Sequence, residues 1–93
     1  MQILLVEDDI EAAGHLSRGL REAGYAVTHC ADGAAGLAEA RATHYELLIV
    51  DRMLPNLDGL SLVGELRKEG VSTPVLVLSA LGMVRGTKTG LRP

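Results

Sequence analysis

The chain has 93 residues, of which 47% are hydrophobic, and it carries a formal net charge of -3 with a sequence pI near 5.5. This size and hydrophobic content are typical of one globular domain, and the acidic balance argues against direct binding of nucleic acid, which requires clustered Lys and Arg. Cys30 is the single cysteine, so no internal disulfide can form, and we expect a small buried thiol in the reducing cytoplasm.

Strands and helices are predicted to alternate along most of the chain. Continuous apolar runs predict strands, and apolar residues that recur every three or four positions predict helices. The predicted strands are 2–6, 25–30, 47–50 and 74–78, and the predicted helices are 9–23, 34–42 and 59–69. Asp9 and Asp58 are expected to cap the first and third helices. This alternation predicts an α/β fold with a doubly wound parallel sheet of flavodoxin-like topology.

The helices are expected to bury their apolar faces, and the chain is expected to lose regular structure near its end. The residues predicted to face the core are Ile10, Ala13, Leu16, Leu20 and Ala23 in the first helix, Ala34, Leu37, Ala38 and the stem of Arg41 in the second, and Leu60, Val63 and Leu66 in the third. Residues 1–80 are predicted to form the domain core, and residues 81–93 an irregular tail rich in Gly, Thr and basic residues. The apolar run at the start is too short to span a membrane and lacks the features of a secretory signal.

Acidic residues end two of the predicted buried strands. Asp51 closes the run 47–50, and Glu7, Asp8 and Asp9 follow the run 2–6. Neighbouring parallel strands end at the same edge of a sheet, so these carboxylates are expected to share one pocket. Such crowding is unfavourable unless a cation binds there or one carboxylate is protonated, which makes the cluster a candidate functional site.

Carboxylates at such an edge can react with phosphorus. An aspartate can attack a phosphoryl group and form an acyl phosphate, but the negative charges of donor and acceptor repel each other. Mg2+ suits this task because it prefers oxygen ligands and takes one or two carboxylates together with phosphate oxygens. Ser79 follows the fourth predicted strand and is expected to donate a hydrogen bond to a phosphoryl oxygen.

Three segments resemble the leading motifs of the receiver domain of two-component response regulators. They are Leu-Val-Glu-Asp-Asp at 5–9, Asp-Arg-Met-Leu-Pro-Asn-Leu-Asp-Gly at 51–59 and Val-Leu-Ser-Ala at 77–80. They occur in the family's order over about the first four fifths of the chain, a combination that is highly specific. The second segment is most similar to receivers that precede winged-helix DNA-binding domains.

The resemblance implies a role for each matching residue. Asp51 would be the phosphoacceptor, and a sensor histidine kinase would be the donor. Asp8 and Asp51 would bind Mg2+ directly, Glu7 would act mainly through a metal-bound water, and Met53 would offer its backbone carbonyl. Ser79 would be the switch hydroxyl that moves toward the phosphoryl group.

The chain departs from the resemblance after Ala80. The family's fourth helix, its fifth strand ending in Lys, and its fifth helix are not recognisable, and Lys88 follows Ser79 too closely to be that Lys. Truncation would leave apolar side chains uncovered and would make the strand Val75–Leu78 an unprotected edge. We therefore expect self-association, through an edge, through a helix face or by segment exchange.

Alternatives to a phosphorylated receiver remain open from the sequence. A receiver without its switch would act as a dimerisation or kinase-binding module, without an output that depends on phosphorylation. A phosphohydrolase with an aspartyl nucleophile is weaker, because such enzymes resemble Asp-x-Asp and Met53 stands at the second Asp position. His15, His29 and His44 lack metal-ligand spacing and are interpreted as surface or strand-flanking residues.

Overall fold

A computed structural model of the chain describes residues 1–78 and 84–87. Its elements in chain order are β1 (Gln2–Val6), α1 (Ile10–Glu22), β2 (Ala26–Cys30), α2 (Gly33–Ala42), β3 (Leu47–Asp51), α3 (Gly59–Lys68), β4 (Val75–Leu78) and β5 (Val84–Thr87). The seven elements predicted from the sequence are all present, and each predicted end coincides with the observed end or differs from it by one residue. Thus β3 extends through Asp51, and α3 ends one residue early.

The strands form one sheet in the order β2-β1-β3-β4-β5, and the first four strands are parallel. Val6 pairs with Val50, and Asp51 pairs with Leu78, so the carboxyl ends of β1, β3 and β4 lie at one edge. This arrangement confirms the predicted doubly wound, flavodoxin-like fold.

Two apolar layers cover the sheet. On one side, α2 and α3 pack over Leu4, Val6, Leu48, Val50 and Val77. On the other side, α1 packs over β1 and β2, and the cluster there contains Ile3, Leu5, Ala13 and Ile49. Each central strand buries side chains on both faces, which explains its continuous apolar sequence.

Several predicted core positions on the helices are wrong. Ala34 and Ala38 are exposed and Gly36 is buried instead, because α2 approaches the sheet through its glycine face, whereas Leu37 is buried as predicted. A Cβ on Gly36 would lie 2.8 Å from Cγ2 of Val6, so only glycine allows this approach.

Two apolar residues at helix starts are also more exposed than predicted. Leu60 is 48% exposed and Leu62 is fully buried, so the buried face of α3 is rotated from the expected one. Ile10 is 67% exposed at the start of α1. Both residues lie in the first turn of a helix that begins beside the acidic edge.

The end of the described chain also differs from the prediction. Residues 81–93 were expected to be irregular, but Val84–Thr87 form β5, which pairs antiparallel with β4. The prediction that β4 is an unprotected edge is therefore wrong, and β5 is the outer strand among the described residues. The short segment contains Arg and Gly and has no apolar alternation, so its strand form depends on the backbone groups that β4 offers.

The helices of the described residues include none with the length and apolar character needed to cross a membrane.

Candidate phosphoacceptor and metal site

The carboxyl edge of the sheet brings Glu7, Asp8 and Asp51 together. Glu7 and Asp8 follow the last residue of β1, and Asp51 is the last residue of β3, whose register places Val6 beside Val50. One carboxyl oxygen from each of the three residues lies within 4.8 Å of the others. The structure therefore contains the acidic cluster that the strand ends predict.

Glu7 is the most constrained member of the cluster. Its side chain is buried, with 8% of the residue exposed, and its Oε2 accepts a hydrogen bond of 3.1 Å from the backbone N–H of Asp9. The backbone N–H of Glu7 donates to the carbonyl of Cys30 at 3.0 Å, and its own carbonyl accepts from Nε2 of His29 at 2.7 Å. Both main-chain bonds join Glu7 to β2, so the strand pairing fixes where its carboxyl group lies.

The pKa of Glu7 is raised from 4.5 to about 7, mainly because the carboxyl group is buried. The proximity of the Asp51 carboxyl group also contributes to this rise, whereas the hydrogen bond from the Asp9 backbone opposes it. A buried carboxyl group beside a second carboxyl group avoids its charged form unless a cation compensates that charge. Near neutral pH, Glu7 is therefore close to its own pKa and can release a proton when a cation binds.

The loop that follows Asp51 is held by backbone hydrogen bonds. Oδ1 of Asp51 accepts from the N–H of Met53 at 3.3 Å, and the N–H of Arg52 donates to the carbonyl of Leu78 at 2.9 Å. The N–H of Gly59 donates to the carbonyl of Arg52 at 2.9 Å, which closes the loop at its far end. The position of Asp51 is thus tied both to β4 and to the start of α3.

Two further acidic residues near the edge cap helices instead of joining the cluster. Oδ1 of Asp9 accepts from the N–H groups of Glu11 and Ala12, as the capping prediction requires. Asp58 accepts from the N–H and the hydroxyl of Ser61, and these hydrogen bonds lower its pKa. Their oxygens are committed to helix termini, which leaves Glu7, Asp8 and Asp51 as the cluster.

Other predicted site residues have different outcomes. Ser79 lies outside the described residues. Met53 stands two residues after β3 in the loop, and its side chain is 66% exposed. His29 was interpreted as a flanking residue, but its ring supports the carbonyl of Glu7. The pairing of Leu5 with His29 across β1 and β2 creates this contact, and a sequence read one strand at a time does not reveal it.

The donor set fits a hard divalent cation. It consists only of carboxylate oxygens, and the pKa of one of them, Glu7, is raised mainly by burial and also by the neighbouring Asp51 carboxyl group. Mg2+ and similar ions prefer oxygen ligands and retain several waters, which suits a partly open site with few protein ligands.

A flavodoxin-like parallel sheet with this acidic edge is the architecture of receiver domains. The chain matches the family model described as "Response regulator receiver domain" over residues 3–92, and it belongs to that family. The Salmonella typhimurium protein "Probable transcriptional regulatory protein SilR" is 44% identical over 91 residues, which cover 98% of this chain and 40% of SilR.

Solved receiver structures are similar in fold. The receiver domain of the Francisella response regulator 1452 has a TM-score of 0.84 and 35% identity, with coverage of 88% of this chain and 68% of that chain. The receiver domain of sensor histidine kinase PA1611 from Pseudomonas aeruginosa PAO1 has a TM-score of 0.81 and 37% identity, with coverage of 85% and 66%. That structure is described as having a magnesium ion coordinated in its active-site cleft.

Proposed function

We propose that this chain accepts a phosphoryl group on Asp51 from a sensor histidine kinase and requires Mg2+ to do so. The observation that carries the proposal is the convergence of Glu7, Asp8 and Asp51 at the carboxyl edge of a receiver fold. The chain is a signalling domain of the cytoplasm in this proposal, and its only chemistry is its own phosphorylation and dephosphorylation.

Four groups are proposed to hold the metal. Asp8 and Asp51 supply carboxylate oxygens, Met53 supplies its backbone carbonyl, and Glu7 binds mainly through a metal-bound water. When bound, Mg2+ offsets the repulsion between the carboxylates and the incoming phosphoryl oxygens. Loss of the proton from Glu7 accompanies binding, because its raised pKa places that proton near release at neutral pH.

Asp51 acts as the nucleophile in the proposed transfer. One of its carboxylate oxygens bonds to phosphorus as the phosphorus–nitrogen bond of the phosphohistidine breaks, and the bonding pair remains on the imidazole, which takes up a proton. The backbone N–H of Met53 donates a hydrogen bond to Oδ1 of Asp51 and so holds the carboxylate in place. The Ser79 hydroxyl is proposed to donate to the phosphoryl group.

The output is proposed to be a changed association surface. Phosphorylation replaces the single charge of Asp51 with a more highly charged group, which alters what the carboxyl edge can bind. The chain spans 40% of the length of SilR, whose description is "Probable transcriptional regulatory protein". By analogy we propose a role in regulating transcription, in which this chain associates with a second copy and does not itself contact nucleic acid.

Phosphorylation by a small donor tests the proposal. After incubation with acetyl phosphate and Mg2+, the intact mass of the wild-type chain should rise by one phosphoryl group, and that of Asp51→Asn should not change. Asp58→Asn is the matched control, because it removes a carboxylate from the same loop and Asn still caps α3.

The other outcomes would point to the alternatives. Absence of label in all three proteins would favour a kinase-binding module without the switch. Repeated turnover of the phosphodonor would instead favour a hydrolase.

A further inference from the structure

The first residue of α2 contacts the loop that follows the phosphoacceptor. The N–H of Gly33 donates a hydrogen bond of 3.1 Å to the carbonyl of Pro55. A Cβ placed on Gly33 would lie 1.6 Å from the carbonyl oxygen of Leu57, 2.6 Å from its carbonyl carbon and 2.9 Å from its Cβ. Helix and loop therefore meet backbone to backbone, at a distance that only glycine permits.

The loop cannot easily move to make room for a residue larger than glycine at position 33. The obstructing atoms belong mainly to the Leu57 backbone, and the N–H of Leu57 donates to the carbonyl of Pro55 at 2.8 Å. Asn56 between them has a φ of 70°, a conformation that few residues other than glycine adopt. Asp58 then caps α3. A displacement of Leu57 would consequently be passed along the loop.

The other end of this loop carries the proposed metal ligands. Asp51 ends β3, and Met53 is two residues farther on, with its N–H bonded to Asp51 Oδ1. The three atoms nearest to a Cβ placed on Gly33 all belong to Leu57, so we expect an effect of Gly33 on the cluster to pass through the loop.

We infer that Gly33 is a positioning residue of the phosphoacceptor site, because its close contact with Pro55 and Leu57 sets where the loop presents the Met53 carbonyl. The inference rests on the proposed function for its metal readout. The contact makes α2 the support against which the loop rests. It also gives Gly33 a role different from that of a glycine that merely saves space in the core.

Gly36 is a matched control in the same helix. A Cβ at Gly36 would lie 2.8 Å and 2.9 Å from the two methyl groups of Val6 and 3.3 Å from Leu62, which are core side chains. Gly36→Ala therefore disturbs packing between α2 and the sheet without a contact to the loop. Both substitutions are expected to lower the melting temperature, so lost stability alone cannot account for a difference between them.

The experiment compares wild type, Gly33→Ala and Gly36→Ala by backbone NMR, first without metal and then during a Mg2+ titration. In Gly33→Ala, the metal-free amide resonances of residues 52–58 should move, and the Kd for Mg2+ should rise about 10- to 100-fold, as expected when a group that supports metal ligands is displaced. In Gly36→Ala, the resonances of the loop and the Kd should stay close to those of wild type.

Three results would overturn the inference. One is an unchanged loop in metal-free Gly33→Ala, and another is an equal loss of Mg2+ affinity in both variants. If Gly33→Ala does not fold, the Mg2+ titration of the wild-type chain tests the inference instead. The Gly33 amide should then shift with the same Kd as the Met53 amide, and a Gly33 amide that does not respond is the third such result. A wild-type chain that binds no Mg2+ would overturn the proposed function, while the metal-free comparison still tests the contact itself.

Discussion

A carboxyl oxygen of Glu7 lies within 4.8 Å of one from Asp51, although Glu7 follows β1 and Asp51 ends β3. Glu7 is buried at this position, and burial together with the neighbouring carboxyl group raises its pKa to about 7. In the absence of a cation the pair therefore favours a protonated Glu7 below about pH 7. A bound cation compensates the second negative charge and favours the fully charged pair.

This raised pKa predicts how the metal-free protein responds to pH. The pKa of Glu7 is about 7 in the folded state, against 4.5 for an unperturbed Glu, so the folded state binds more protons between these values. The contribution of Glu7 is fully present below about pH 4.5 and is lost as pH rises through about 7, which lowers the free energy of unfolding by on the order of 3 kcal/mol.

Chemical denaturation in the presence of EDTA, which keeps the protein free of metal, measures this contribution at about pH 5 and about pH 8. Glu7→Gln keeps the shape of a protonated Glu, so its free energy of unfolding should change less between the two pH values than that of wild type. Asp58 and Glu69, whose pKa values are lowered, contribute equally to the pH dependence of both proteins. Subtracting one free energy of unfolding from the other therefore cancels their contributions. Parallel pH profiles for the two proteins would contradict the assignment.

Because Asp8 and Asp9 have different roles, the same substitution is predicted to affect Mg2+ binding at one of them and not at the other. Asp8→Asn removes one of the clustered carboxylates and should raise the Kd for Mg2+ about tenfold or more. Asp9→Asn should leave the Kd nearly unchanged, because Asn can still accept the hydrogen bonds from Glu11 and Ala12 at the start of α1. Isothermal titration of the two variants with Mg2+ measures the contrast, and an unchanged affinity in Asp8→Asn would refute its role as a ligand.

The sequence predicted the parallel fold and the acidic edge because both follow from short-range patterns. Apolar runs define buried strands, and the residue after such a run must emerge at the edge, as Glu7 and Asp51 do. The capping roles of Asp9 and Asp58 were also predictable, since a cap bonds to residues only two or three positions away.

Features that depend on contacts between distant segments were not predictable in the same way. The support of Glu7 by His29 requires the register of β1 with β2. The approach of Gly33 to Leu57 requires the packing of α2 against a loop that follows much later in the chain. Similarly, β5 depends on pairing with β4, because its four residues include Arg85 and Gly86 and are too few to show a strand pattern in the sequence.

Self-association is expected to use the side of the sheet that carries α1. This helix packs over β1 and β2, whereas Leu47, Leu76 and Leu78 on β3 and β4 are only partly buried in the described part of the chain. Packing these side chains against a second copy would remove more apolar surface from water.

Leu76→Lys places a charge in this patch and should raise the dimer dissociation constant at least about tenfold, since each buried leucine contributes about 1.5 to 3 kcal/mol. Leu60→Lys is the control, because Leu60 is 48% exposed at the start of α3, a helix of the other layer. Sedimentation of all three proteins at micromolar concentration measures the effect, and a compact wild-type monomer would count against self-association.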